Sequence, residues 1–260
     1  MGILTKDYHL ENARGGEPKL RHISKFGFNA DIDGGAVPET IWSPGGLWVP
    51  PAAPSVAAVV SDSADDALAG TGARAVQVLG LDQDFAEASE VVELNGVTPV
   101  NTVGQFSRIF RLTVVGAGSG KANAGTISAQ IGPTLGATID PGLGQTVMAV
   151  WSIPAGHRAY FLGVTASLWR LAQPAGAMAT CRVVLTSGID TPDPVEVTAY
   201  IFGLGVDSSQ HIREFKRPRV LVGPADVRVD VQAVSDNNTI ISAGFDAYYE
   251  SVAGQIPANQ

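Results

Sequence analysis

Hydrophobic and polar residues alternate with a period of two along most of the chain from residue 55 onward. Apolar side chains occupy every second position, as in residues 227–233 and 241–249, and the positions between them are mostly polar or small. This alternation is typical of strands with one buried and one exposed face, and it favours antiparallel over buried parallel sheets. The pattern predicts an all-β body built from antiparallel β-sandwiches and similar to a jelly roll.

Turn-forming residues separate these runs. Asn95-Gly96 is a typical hairpin signal, and Asp236 to Asn238 joins the last two predicted strands with residues that tolerate a tight turn. Strand signals recur about every ten to fifteen residues, as in sandwiches and jelly rolls. We expect Phe245 to face the core, with Val229 and Val231 paired to it across the last turn.

The chain divides into three segments. Residues 1–50 lack a sustained period and are predicted to form an extended N-terminal arm. Residues 51–142 are predicted to form a β domain or a first β half, and residues 143–260 a sandwich domain similar to a jelly roll. The boundary near residue 142 is placed in a glycine-rich stretch, residues 116–145.

The N-terminal arm is predicted to attach the protein to another surface. It contains two tryptophans, which disordered segments generally lack, and five lysines and arginines in residues 6–25 of an acidic chain. A second basic cluster lies in residues 211–219 and is expected to be a solvated strand edge or loop, with a contact to an acidic partner surface as the alternative. The candidate attachment and interface residues are the aromatic Phe26, Phe28, Trp42 and Trp48 and the basic Arg213, Lys216 and Arg217.

Charge and composition exclude several classes of protein. The formal net charge is -8, whereas a protein that binds nucleic acid usually carries a dominant basic surface. No apolar run approaches the ~18 residues of a membrane span, and the N-terminus has no apolar signal-peptide core. Cys181, the single cysteine, is expected to be a core residue. We therefore expect a soluble protein without nucleic-acid or membrane partners.

The sequence stretches that suggest catalysis or metal binding lack residues that those functions require. The stretch Gly116–Lys121 lacks the first glycine and the hydroxyl residue of a phosphate-binding loop. The four histidines are far apart and show no metal-ligand spacing. The chain is predicted not to be an enzyme and to hold no cofactor or metal, although the sequence alone does not rule out a pair of carboxylates suited to glycoside hydrolysis.

Two further features leave alternatives open. The acidic stretch Asp62–Asp66 is interpreted as a solvated loop rather than a calcium site, since it lacks the EF-hand pattern. Aromatic side chains occur at positions whose strand parity is otherwise exposed. Packing between sheets or subunits is favoured over sugar stacking for these residues, which are Phe161, Trp169, Tyr200 and Phe202.

A family resemblance rests on a series of phrases in a fixed order. They are FGFNADID, ETIWSPGGLW, SDSADDALAGTGARAVQVLGLD, EVVELNG, AGSGKANAGTISA, GQTVMAVWSIPAGHRAYFLGVTASL and VSDNNTIISAGFDAYY. Together they resemble a family of virion-associated structural proteins of tailed bacteriophages, over about residues 25–250. The resemblance implies a β-rich particle protein and no catalytic residues.

An arm joined to a compact β body suits a capsid decoration or cement protein. We expect it to bind the major capsid protein or other virion proteins, as a homo-oligomer with a trimer favoured, in a particle assembled in the bacterial cytoplasm. Two alternatives remain open. One is a tail, baseplate or head-fibre component with a receptor- or carbohydrate-binding β domain, and the other is a carbohydrate-active enzyme or carbohydrate-binding module.

Overall fold

The structure is a computed structural model that describes residues 19–35, 37–169, 177–205 and 208–252. These residues form antiparallel strands and no helix, so they contain none long and apolar enough to cross a membrane. The all-β prediction is confirmed. The strands are β1 Arg21–Ile32, β2 Glu39–Thr40, β3 Ser55–Ser61, β4 Ala73–Asp82, β5 Glu87–Glu93, β6 Val100–Ala117, β7 Ile127–Ile131, β8 Thr134–Ile139, β9 Val150–Ile153, β10 His157–Trp169, β11 Ala179–Ser187, β12 Val195–Leu204, β13 Gln210–Val222, β14 Ala225–Val234 and β15 Thr239–Ser251.

Two facing sheets build a jelly roll. One has the order β1-β15-β10-β13, and the other has the order β12-β11-β14-β2, with β9 also paired to β14. The chain passes from sheet to sheet between β1 and β2, β9 and β10, β10 and β11, β12 and β13, β13 and β14, and β14 and β15. With β2 and β9 counted as one interrupted strand, this gives the eight strands of a jelly roll.

The interrupted strand carries a large insertion. Glu39 and Thr40 of β2 pair with β14 just beyond the point where β9 pairs with it, so β2 and β9 lie end to end along the same partner. At the junction, the Ile41 amide donates to the Val229 carbonyl at 2.9 Å, and the Val229 amide donates to the Ala149 carbonyl at 3.0 Å. The chain thus leaves the strand at Ile41 and resumes it at Ala149.

The insertion is a curled six-stranded antiparallel sheet in the order β5-β4-β6-β3-β7-β8. Gly27 of β1 lies against the junction where the insertion leaves and returns. A Cβ at this position would lie 2.0 Å from the Ile41 carbonyl oxygen and 2.4 Å from the Ala149 nitrogen. No side chain fits there, which explains the glycine.

The jelly-roll core lies between its two sheets and contains Phe245, Val229 and Val231. The predicted burial of Phe245 is therefore confirmed. The predicted pairing is wrong, because β15 pairs with β1 and β10 in one sheet while β14 belongs to the other. The turn at Asp236 to Asn238 crosses between the sheets, so these side chains meet across the core and not along a hairpin.

The N-terminal segment differs from the predicted arm. Its part from Arg21 to Ile32 is a full strand at the edge of the four-stranded sheet, paired with β15. Trp42 and Trp48 are buried in the core of the inserted sheet. Both indole nitrogens donate to nearby backbone carbonyls, Trp42 to those of Gly45 and Gly46 and Trp48 to that of Gly136. Residues 21–50 are thus part of the folded body, and residues 1–18 lie outside the described residues.

The boundary predicted near residue 142 falls between the last strand of the insertion and the return of the chain to the jelly roll. Strand β8 ends at Ile139, and β9 begins at Val150. The insertion begins earlier than residue 51, because the chain leaves the interrupted strand directly after Ile41. The glycine-rich stretch 116–145 is the signal behind the predicted boundary, whereas the N-terminal limit of the insertion has no such signal.

A buried ion pair joins the insertion to the jelly roll. The Arg108 guanidinium of β6 donates to both carboxylate oxygens of Asp226 on β14, at 3.0 and 3.2 Å, and both side chains are buried. The Ser152 hydroxyl of β9 donates to the same carboxylate at 2.6 Å. Burial raises the pKa of Asp226, and the Arg108 guanidinium and the Ser152 hydroxyl oppose that rise.

Lys25 is a second buried charge at this junction. Its side chain is 2% exposed, and its ammonium donates to the Phe110 carbonyl of the insertion. Burial, together with the nearby Arg111 guanidinium, holds the pKa of Lys25 well below its usual value.

Replacement of Lys25 by methionine should raise the free energy of unfolding at pH 7 by on the order of 1 kcal/mol, because a buried charge is removed and its volume is kept. In the wild type the unfolded chain binds the proton more tightly than the folded protein. Stability should therefore rise with pH from the lowered folded pKa toward the unfolded value of about 10.4. Urea titrations at pH 7 and 9 should show this rise in the wild type and a smaller one in the variant. Equal slopes in both proteins would contradict the assignment.

Candidate functional site

The outer face of the four-stranded sheet is the candidate functional site. Register places Phe26, Gly244, Thr165 and Ile212 in one row across β1, β15, β10 and β13. The adjacent row is Phe28, Ser242, Ser167 and Gln210. Each row thus has an aromatic side chain on the first strand, small residues on the two central strands, and a longer side chain on β13.

This distribution of side-chain sizes forms an open groove of about 520 Å³. Its floor is made by Gly244, Thr165 and the hydroxyls of Ser167 and Ser242, whose oxygens are 2.8 Å apart. One wall is aromatic, with Phe26 exposed and the Phe28 ring 5.7 Å from that of the exposed Trp169. The opposite wall is Ile212, which is 72% exposed. An aromatic wall above a hydroxyl-lined floor can bind a ligand or partner that is part apolar and part polar.

The groove continues into a charged region of about 340 Å³ that shares Thr165 and Ile212 with it. Here His22 Nε2 lies 3.3 Å from Asp246 Oδ1. Arg213 and Glu214 of β13 line the same region.

The edge strand β13 carries the basic cluster predicted from the sequence. Phe161 pairs with Arg219 and Gly163 pairs with Glu214, so four residues of β13 lie opposite the single residue Leu162. These four residues, Phe215 to Pro218, form a bulge that contains the exposed Lys216 and Arg217. The bulge, the proline and the charges are features that keep edge strands from pairing with other chains.

Aromatic side chains close the side of the sandwich between β12 and β13. The His211 ring stacks on Phe202 with centroids 4.5 Å apart, and Tyr200 contacts both rings. Burial and the neighbouring Arg213 lower the pKa of His211. The favoured interpretation of packing is confirmed for Phe161, Tyr200 and Phe202, which all contact the jelly-roll core. Trp169 is instead exposed, and its ring lies beside that of Phe28, which lines the groove.

The structure brings together three of the seven predicted site residues. Phe26 and Phe28 line the groove, and Arg213 lies in its charged continuation. Lys216 and Arg217 lie on the adjacent strand edge. Trp42 and Trp48 are core residues of the insertion, so their prediction as attachment residues is wrong. Sequence reasoning did not assign Ile212 or the small floor residues to the site. The small side chains at alternate positions of β10 and β15 were the available signal.

Two residues discussed in the sequence analysis, Cys181 and Asp66, are buried in the protein. Cys181 is buried, and burial, with Asp230 nearby, raises the pKa of its thiol to about 12. Asp66 is buried too, so the interpretation of Asp62–Asp66 as a solvated loop is wrong for that residue. Its carboxylate accepts from the amides of Ala73, Ala124 and Gly125 at 2.7–2.9 Å. It thereby connects the loop between β3 and β4 with the loop between β6 and β7.

Within the described residues, no group of three or more His, Cys, Asp or Glu side chains is arranged to hold a metal ion. Comparison of the chain with protein-family models, curated proteins and solved structures finds no match. The resemblance to virion-associated proteins therefore stays a hypothesis.

Proposed function

We propose that this chain is a structural protein of a bacteriophage virion, a capsid decoration protein that binds and stabilises the coat shell as a homo-oligomer. The observation that carries the proposal is the jelly roll whose outer sheet face is an open groove with an aromatic wall, bordered by a basic edge strand. Its partners are the major capsid protein or other virion proteins.

The fold supports this proposal only as an analogy. Jelly rolls occur in viral capsid proteins, lectins and cupins, and one fold serves many functions. The order of motifs described above adds the resemblance to virion-associated proteins.

The surface supports the proposal more directly. Exposed apolar side chains that form a contiguous patch are uncommon on monomeric soluble proteins and mark interaction sites. Here Phe26 and Ile212 are exposed in one groove, and the exposed Trp169 lies beside Phe28 of its aromatic wall. A groove that is open along the sheet suits a loop or edge of another protein better than a small substrate, which needs a deeper enclosure.

One alternative is favoured by a specific observation. An exposed aromatic wall facing a floor of hydroxyl groups is also suited to a saccharide, which stacks on aromatic rings and hydrogen-bonds to hydroxyls. That arrangement would fit a tail or head-fibre protein that binds a host glycan.

The proposal is tested by the binding of recombinant protein to particles that lack it. Simultaneous replacement of Phe26 and Trp169 by alanine should reduce occupancy on the particle at least about tenfold, because two anchors of the groove are truncated. Quantitative gel analysis of sedimented particles measures the occupancy. The matched control is Leu68→Ala, which truncates an exposed apolar residue of the insertion and should leave occupancy unchanged.

A second variant addresses the arm. Deletion of residues 1–18 leaves β1 intact, whereas deletion to residue 30 would remove most of that strand. The shorter deletion should weaken attachment to particles without unfolding the body. Full occupancy by both the groove variant and the deletion would contradict the proposed attachment. Binding to a glycan array that is lost in the groove variant would favour the fibre alternative.

A further inference from the structure

Strand β13 presents a protruding basic surface with apolar neighbours. Lys216 and Arg217 lie in its bulge, and the same strand exposes the apolar side chains Ile212, Val220 and Val222. The bulge and Pro218 obstruct the addition of another strand to this edge. A partner must therefore bind the side chains of this surface and not its backbone.

The edge of the inserted sheet presents the opposite charge. Residues 75–107 contain no lysine or arginine and five acidic residues, which are Asp82, Asp84, Glu87, Glu90 and Glu93. Two of these, Asp82 and Glu90, line a surface cavity of about 420 Å³. Apolar side chains are exposed beside the cavity as well, with Val91 on β5 and Val103, 92% exposed, next to Glu90.

Both carboxylates in the cavity are held in place and keep acceptor capacity. Glu90 accepts from the Val103 and Gly104 amides at 2.8 and 3.0 Å. Asp82 accepts from the Asp84 and Ala86 amides at 2.9 Å. Each carboxylate offers about four lone-pair sites, so both can also bind a cationic side chain.

The two surfaces do not meet within one chain. The acidic edge adjoins β1, since Glu87 accepts from Arg21 of that strand and from the Tyr249 hydroxyl. Strand β13 is at the opposite edge of the four-stranded sheet, with β15 and β10 between. Three strand spacings amount to about 14 Å.

We infer that the basic bulge of β13 docks into the acidic cavity beside β5 of a second copy of this chain. Lys216 and Arg217 pair with Asp82 and Glu90, and the exposed apolar side chains on the two surfaces pack around these pairs. Such a contact joins two different surfaces, so a rotation that closes gives a ring. The inference rests on the homo-oligomer of the proposed function and identifies its interface.

The test uses the full chain and light scattering coupled to size-exclusion chromatography. The wild type should elute at a multiple of its 26.9 kDa chain mass, with three copies for a trimer, and should dissociate at high salt because the contact is ionic. The variant K216E/R217E should elute as a monomer, with a dissociation constant raised at least about tenfold. The variant D82K/E90K, which reverses the two carboxylates of the cavity, should do the same, and all four substitutions in one chain should restore the oligomer.

The control is K121E, which reverses an exposed lysine in the loop between β6 and β7 and should keep the wild-type mass. Thermal melting establishes that each variant is folded, which matters most for Asp82 and Glu90 because each carboxylate also accepts from two backbone amides. A monomeric wild type, an unchanged mass for K216E/R217E, or no restoration by the four substitutions overturns the inference. A monomer that still binds particles would overturn this interface and leave the virion role intact.

Discussion

Truncation of Phe245 to alanine is expected to lower the free energy of unfolding by about 3–5 kcal/mol. The side chain is 1% exposed and lies in the middle of the jelly-roll core. Its ring is 5.3 Å from that of Phe161, and Val164 is its neighbour on β10. Replacement removes contacts with both sheets and leaves a cavity that a close-packed sandwich cannot easily fill. Urea denaturation followed by tryptophan fluorescence measures the loss.

The matched control for this variant is Val195→Ala on β12. Val195 is exposed, so its truncation should change stability by less than about 0.5 kcal/mol. A loss below about 1 kcal/mol for Phe245→Ala would contradict the assignment of this residue to the core.

Replacement of Arg108 by alanine is also expected to cost about 3–5 kcal/mol, because it leaves the buried Asp226 carboxylate without its cation. The two side chains connect β6 of the insertion with β14 of the jelly roll. Their loss should therefore loosen the insertion as well as lower global stability. Hydrogen exchange of the β6 and β14 amides, measured with the unfolding free energy, detects both effects.

A double variant separates the effect of the ion pair from the effect of packing. Arg108→Met combined with Asp226→Leu removes both charges and keeps most of the side-chain volume, so the double variant should be more stable than Arg108→Ala. If the double variant is as unstable as the single one, the ion pair does not carry the stability assigned to it.

The all-β class was predictable because most strands bury one face, and alternation records that directly. Strand β1 was missed because its pattern is inverted. Its buried positions include Lys25, Gly27 and Asn29, whereas Phe26 is exposed and Phe28 half-buried. The buried side of β1 packs against the junction and the insertion, where space and hydrogen bonds rather than hydrophobicity select the residues.

The interrupted strand was beyond sequence reasoning. Strand β2 has two residues and β9 has four, and neither shows a period. Their alignment along β14 depends on the fold of the insertion between them. For the same reason the Arg108–Asp226 pair joins residues 118 positions apart, and no local signal identifies it.

The candidate site was predictable in part. The exposed aromatic residues of β1 and the basic residues of β13 were singled out by type and by clustering. Their meeting on one sheet face follows from the strand order β1-β15-β10-β13, which the sequence does not display. Trp42 and Trp48 were assigned to attachment because a large aromatic needs a buried surface, and the protein's own insertion provides it.

The proposed virion role is tested most directly by quantitative mass spectrometry of purified phage particles, combined with a reconstruction of the particle. The account predicts that the chain is present in hundreds of copies per particle, as density on the outside of the coat shell. Absence from purified particles would contradict it. A copy number of a few multiples of three, five or six, located on the tail, would contradict the capsid role and support the fibre or baseplate alternative.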